Sequence, residues 1–103
     1  MLAKQYRLSR KDFLLVKKSG TKVSIPNAKL IYSPNTLPHS RFSVVVSKQY
    51  SKSAVARNHF RREIYSLLTS HYSPPIDIII YPFNEKIIPG LNQALLGLTA
   101  RQS

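Results

Sequence analysis

The sequence predicts an α+β fold in two layers, a short sheet covered by helices. Three observations predict it. The apolar pattern switches between helical and strand periods, in the order helix, two or three strands, helix, strand, helix. The run "IDIIIYPF" at 76–83 is nearly continuous in apolar residues, as expected of a strand buried between neighbours. A β-branched strand, a long helix and that buried run follow one another, which points to a parallel β-α-β connection. At 103 residues the chain has the length of one domain.

The first element is a short helix over 9–19, "SRKDFLLVKKS". Ser9 is placed to cap it, Asp12 sits in its first turn, and Gly20 stops it. Phe13 and Val16 share one side. "KVSIPNAKLIYS", 22–33, reads as extended, with Pro26 confined to an edge or a bulge. "SPNTLPHS", 33–40, is a loop. "RFSVVVSKQY", 41–50, is the clearest strand, with Phe42, Val44 and Val46 on one face. Residues 53–71 read as a helix capped by Ser51 or Ser53, and "SPP" at 73–75 ends it. "PGLNQALLGL", 89–98, suggests a last helix with Leu91, Leu95 and Leu98 inward.

Charge is the dominant feature of the composition. Sixteen Lys and Arg oppose four Asp and Glu, a formal +12. Residues 1–62 hold fourteen of the basic residues against Asp12 alone, a net +13. Positive charge segregated in this way is the usual footprint of nucleic-acid binding. A basic protein charged only for solubility is the plainer reading, but a +13 segment repels itself and works against the compact state. Cysteine is absent, which excludes a disulfide framework and a cysteine-rich metal site. No stretch reaches the ~18 apolar residues of a membrane span. The N-terminus lacks the apolar middle of a signal peptide, so a cytoplasmic protein off the membrane is the simplest expectation.

The basic residues concentrate in "SAVARNHFRRE", 53–63. On a helical wheel Ala56, Phe60, Ile64, Leu67 and His71 fall on one side, with Leu68 at its edge. Arg57 and Arg61 lie one turn apart on a flank. Asn58, Arg62 and Tyr65 fall opposite the apolar stripe, and His59 lies on the far flank, nearest Arg62. An ordinary solvated face mixes Glu and Lys at i,i+4. Here Arg57 and Arg61 are a like-charged pair, and three arginines crowd the helix half where the dipole disfavours cations. Each choice costs about a few tenths of a kcal/mol. A face that breaks both local rules points to function, and the arginine fork suits phosphate oxygens.

"SVVVSKQYSKSAVARNHFRREIYSLL" resembles the signature of the protein subunit of bacterial ribonuclease P, in which a strand ending in Ser-Lys leads into a helix opening with Arg-Asn-Arg and further basic residues. Arg57-Asn58 match, Arg61-Arg62 match the basic pair that follows, and His59 stands where the family has arginine. "YRLSRKDFLLVKKSG" is similar to the family's first helix, and "IDIIIYP" sits where its last strand falls. The resemblance implies an α-β-β-β-α-β-α sandwich with a left-handed β-α-β crossover, against the common right-handed rule. It implies a monomer in the holoenzyme, partnered by the catalytic RNA of ribonuclease P and by precursor tRNA. The protein would assist endonucleolytic removal of the tRNA 5′ leader. Hydrolysis would belong to the RNA with Mg²⁺, with no catalytic or metal-binding residue in the protein.

Carried onto this chain, the resemblance assigns RNA contact to Arg57, Asn58, His59, Arg61 and Arg62, with Lys48 and Lys52 on the basic approach. It assigns the leader cleft to Phe13, Lys17 and Tyr32. Unpaired bases stack on aromatic rings with little regard to sequence, which suits Phe13; the plainer role for Phe13 is core packing. The family often has an aromatic where Lys17 stands, and lysine can reach phosphate but cannot stack. Tyr32 is the candidate for a cleft tyrosine, although an ungapped count from Asn27 places it one residue early.

Two other readings compete. A self-sufficient nuclease needs convergent carboxylates or an acid–base pair. The acids at 12, 63, 77 and 85 show no ligand spacing, and His39, His59 and His71 fall on different elements, His71 on the apolar stripe. A ribosomal or other structural RNA-binding protein shares every electrostatic feature and needs no leader cleft.

Overall fold

Ser9 starts the first helix. In the computed structural model, which describes residues 7–36, 39–68 and 76–91, helix α1 spans Arg10–Ser19, and the Ser9 hydroxyl accepts from the Asp12 N–H at 3.2 Å while donating to the Asp12 carboxylate at 2.8 Å. The helix ends at Gly20, as the sequence suggests, but for a different reason. Gly20 has φ −73°, a conformation open to any residue. A Cβ there would lie 2.5 Å from the Val16 carbonyl oxygen, 2.8 Å from Ile31 Cγ2 and 2.9 Å from the Tyr32 carbonyl oxygen. Glycine is required by the close approach of α1 to the sheet.

The segment read as one extended stretch is a hairpin. Strand β1, Thr21–Ile25, and strand β2, Ala28–Pro34, pair antiparallel across a turn at Pro26 and Asn27. Pro26 therefore occupies the turn and not a strand edge. Asn27 has φ 69°, and proline followed by a positive-φ residue is the order of a type II turn. Asn27 also accepts from the Phe83 N–H through its carbonyl oxygen at 2.8 Å, tying the hairpin turn to the chain just past Pro82, the partner of Ala28 in the sheet.

Strand β3 is Arg41–Val44, helix α2 is Ala54–Leu67 and strand β4 is Ile76–Pro82. The sheet order is β1-β2-β4-β3. β4 runs antiparallel to β2 and parallel to β3, so α2 connects two neighbouring parallel strands, as expected. β4 is central and buried along almost its whole length. Residues 87–91 are helical, which bears on the start of the last helix; Leu95 and Leu98, with His71 and the "SPP" stretch, lie outside the described residues.

Strand parity divides the interior. Leu30, Tyr32, Phe42, Val44, Ile76, Ile78 and Ile80 pack with Phe60, Ile64, Tyr65 and Leu68 on the α2 side. Ile31 and Ile79 pack with Val16 on the α1 side, with Phe13, Leu8, Val45 and Tyr81 partly buried around them. Full burial of side chains such as Phe60 or Ile64 contributes about 1.5–3 kcal/mol each. The outer edge of β3 is covered twice: the Leu8 N–H donates to the Phe42 carbonyl at 3.0 Å, and the Val44 N–H donates to the Tyr65 hydroxyl at 3.1 Å. Covering an edge in this way removes a template for unwanted strand pairing.

Candidate nucleic-acid interface

Helix α2 carries the arginine-rich stretch, and its rotation on the sheet differs from the simple wheel. The buried line is Phe60, Ile64 and Leu68, with Tyr65 beside it; Ala56 and Leu67 are only partly buried. Tyr65, expected on the outward face, is buried because its hydroxyl finds the unpaired N–H of the β3 edge. This turn of the helix brings Arg57 and Arg61 to the boundary of the packed face.

The arginines consequently separate into two kinds. Arg57 is partly buried and its Nη1 donates to the Ser51 carbonyl at 2.8 Å, holding the loop before the helix. Arg61 is partly buried and its Nη2 donates to Asn58 Oδ1 at 2.9 Å, which eases the like-charge pairing with Arg57. His59 and Arg62 are exposed on the outward side. The cap is Ser53, whose hydroxyl accepts from the Ala56 N–H, while Ser51 accepts from the Ser53 N–H.

Lys48 and Lys52 stand exposed on the loop that leads into α2, around an open hollow of about 730 Å³ shared with Gln49 and Ser51. Tyr50 anchors this loop. Its ring stacks on Phe60 at 4.4 Å between centroids, and its hydroxyl donates to Glu85 at 2.6 Å. The bond to Glu85 raises the Tyr50 phenol above its ordinary pKa.

The second candidate surface lies between α1 and the sheet. Phe13 is partly buried at the edge of the Val16–Ile31–Ile79 cluster, so it is both packed and reachable. Lys17 is exposed one turn further along and lines a recess of about 280 Å³ with Lys22, Lys29, Ile31 and Tyr81. Tyr32 does not share this surface. Side chains alternate along β2, and Tyr32 points to the α2 side of the sheet, where it is 8% exposed. Among the described residues the tyrosine on the α1 side is Tyr81, which sequence reading missed. Parity within "IDIIIYP" carries the signal: Asp77, Ile79 and Tyr81 share one face, and partial burial raises the Tyr81 phenol's pKa.

Three of the four carboxylates have hydrogen-bond partners within the fold, and Asp77 is buried. Arg41 bonds both Asp77 and Asp12, and Tyr50 bonds Glu85, which leaves Glu63 as the acid on the α2 surface. No group of three or more His, Asp or Glu side chains gathers in metal-ligating positions among the described residues. No helix among them is long and apolar enough to cross a membrane.

These features define a class: a small, strongly basic α+β protein with a helix on each face of one mixed sheet. A family model described as Ribonuclease P matches residues 2–87. The chain belongs to that family. It is 35% identical over 86 residues to the ribonuclease P protein component of a Pseudanabaena species, covering 78% of this chain and 73% of that protein. It is 42% identical over 53 residues to the component from Idiomarina loihiensis, an alignment that spans only 42% of that relative's length. Among solved structures, the ribonuclease P protein from Thermotoga maritima superposes with a TM-score of 0.72 at 24% identity, over 92% of this chain and 96% of that one. The Staphylococcus aureus protein superposes at 0.66 with 30% identity, over 75% of this chain and 73% of that one.

Proposed function

We propose that this chain is the protein component of a ribonuclease P ribonucleoprotein, binding the catalytic RNA through α2 and its approach loop and receiving the single-stranded 5′ leader of precursor tRNA beside α1. The observation that carries this reading is the internal use of Asp12 and Asp77. Asp12 and Asp77 are paired with Arg41, so they do not neutralise the basic surface of α2; Glu63 and Glu85, the latter exposed beside Tyr50, are the two acids outside that pairing. A surface of that kind binds a polyanion with release of counterions.

Within this reading Arg62 and His59 meet phosphate directly, and Lys48 and Lys52 extend the contact along the loop. Arg57 and Arg61 border the same surface while fixing the Ser51 carbonyl and Asn58. Phe13 offers an aromatic edge to unpaired bases. Hydrolysis is assigned to the RNA, with Mg²⁺ held there supplying the activated water and charge stabilisation. The side chains of this protein bind and orient.

Reconstitution tests the proposal. The protein is combined with a bacterial ribonuclease P RNA and precursor tRNA at low Mg²⁺, and 5′ cleavage is followed. A rise in cleavage over the RNA alone is expected. No rise would favour a structural RNA-binding role, and cleavage by the protein without RNA would show a nuclease.

A further inference from the structure

Resting on the reading of the cleft beside α1, we infer that Asp12 is a positioning residue for the leader: its ion pair with Arg41 sets the rotation of α1 about its own axis and so orients Phe13, while Asp12 itself touches no RNA. Backbone contacts fix both ends of α1. Ahead of the helix the Leu8 N–H donates to the Phe42 carbonyl, and behind it Gly20 lies too close to Ile31 and Tyr32 to admit a Cβ. Two end fixtures leave a helix free to turn between them. Burial of Val16 resists that turn without directing it, because the hydrophobic effect is non-directional. Among the described residues the ion pair that joins α1 to the sheet runs from Asp12 Oδ2 to Arg41 Nη1, at 2.8 Å.

The chemistry of the pair suits direction more than stability. Asp77 holds the Arg41 guanidinium with two bonds of its own, so Arg41 is fixed to β4 independently of Asp12. The Ser9 hydroxyl donates to the same Asp12 oxygen and keeps the carboxylate in place. Asp12 and Arg41 both remain partly exposed, and an ion pair of that kind contributes little to stability. Capping does not need it either. The Ser9 hydroxyl accepts from the Asp12 backbone N–H, a bond that survives truncation of the side chain. What the bond to Arg41 adds is geometry. Phe13 is the next residue, partly buried at the edge of the Val16–Ile31–Ile79 cluster. Side chains reach about 5–6 Å from a helix axis, so a turn of about 10° moves the Phe13 ring by about 1 Å. A flat ring packed on one side loses its overlap with an unpaired base over such a shift. Lys17, on a flexible stem, follows a phosphate through it.

The test uses the reconstituted holoenzyme: the full chain, a bacterial ribonuclease P RNA and two precursor tRNAs, one with an extended single-stranded leader and one with a leader of a single nucleotide. Asp12→Ala is expected to weaken binding of the long-leader substrate about five-fold, the low end of what a lost base–ring stack costs. Its affinities for the short-leader substrate and for the catalytic RNA should stay at the native values. Asp12→Asn keeps an oxygen for Arg41 and should bind the long leader as the native chain does, even where it melts lower. A double-mutant cycle gives the readout that a purely structural role would not move: the loss from Asp12→Ala should vanish in a Phe13→Ala background and persist beside Lys17→Gln. Equal weakening of both substrates, no weakening of either, or full additivity with Phe13→Ala overturns the inference. Where Asp12→Ala fails to fold, Asp12→Ser takes its place in the cycles; failure of both to fold would make Asp12 a stability residue and overturn the inference too. A native chain with no preference for the longer leader would overturn the proposed cleft and this inference with it. A native preference that Asp12→Ala leaves intact overturns the inference alone.

Discussion

Arg41 grips Asp77 with two parallel hydrogen bonds, Nε to Oδ1 at 2.9 Å and Nη2 to Oδ2 at 2.8 Å, and reaches Asp12 on α1 with its remaining nitrogen at 2.8 Å. One guanidinium therefore joins β3, β4 and α1. Asp77 is 5% exposed and also accepts from Asn35 Nδ2 at 2.8 Å, so its charge is well supplied with donors. The two carboxylates hold the Arg41 pKa above its ordinary value, Asp77 contributing most.

Arg41→Ala should be strongly destabilising. It strands the buried Asp77 carboxylate with Asn35 as its remaining named donor, and breaking such a pair from one side costs about 3 kcal/mol. Urea denaturation of the native and variant proteins measures the difference. A loss under about 0.5 kcal/mol, the size of an ordinary surface substitution, would refute the structural role.

Asp12 makes stability pH-dependent. Its pKa is lowered below 3.8, first by the Ser9 hydroxyl, against the opposing effect of burial, and then by Arg41. The folded state binds this proton more weakly than the unfolded chain does. The stabilisation is thus complete above the unfolded value near 3.8 and disappears as pH falls through the lowered folded value. Thermal melts of native and Asp12→Asn proteins should differ by a constant amount around pH 6 and converge in strong acid, at about pH 2. A gap that persists there would assign the effect to packing.

Much of the fold was legible in the sequence because local chemistry and tertiary placement agree. Ser9 caps α1 where a serine should, and Phe42 and Val44 alternate as a one-faced strand must, although the strand expected over 41–50 ends at Val44 and Val46 keeps to the same side beyond it. The run at 76–82 is buried because β4 has a partner on both sides. What was not legible depends on partners distant in the chain. Tyr65 looks outward on a wheel centred on Phe60, and only the edge of β3 explains its burial. Tyr32 and Tyr81 cannot be sorted between clefts until the β2–β4 register sets their parity. Gly20 looks like a helix stop, whereas its cause is Ile31 and Tyr32 across the sheet.

Gly20→Ala tests that cause. The new methyl meets two backbone oxygens and Ile31 within 2.9 Å, and backbone atoms cannot rotate away. Forcing an extra carbon into such a contact costs about 1–3 kcal/mol. The expected result is a lower denaturation midpoint with an unchanged slope. An alanine that stabilised the protein would mean that chain entropy outweighs the contact.

Arg57 and Arg62 should fail in different ways. Arg62 is exposed, so Arg62→Ala should leave the melting temperature unchanged and remove about one phosphate from the salt dependence of RNA binding. Arg57 also holds the Ser51 carbonyl, so Arg57→Ala should lose a similar share of the salt slope and about 1 kcal/mol of stability with it. Its effect should spread to Lys48 and Lys52, because the loop carrying them then rests on the Tyr50 anchor to Phe60 and Glu85. A double-mutant cycle between Arg57→Ala and Lys52→Ala reads this directly: non-additive losses of RNA affinity are expected, against additive losses for Arg62→Ala with Lys52→Ala. Additivity in both cycles would show that the Arg57–Ser51 bond does not position the loop for RNA.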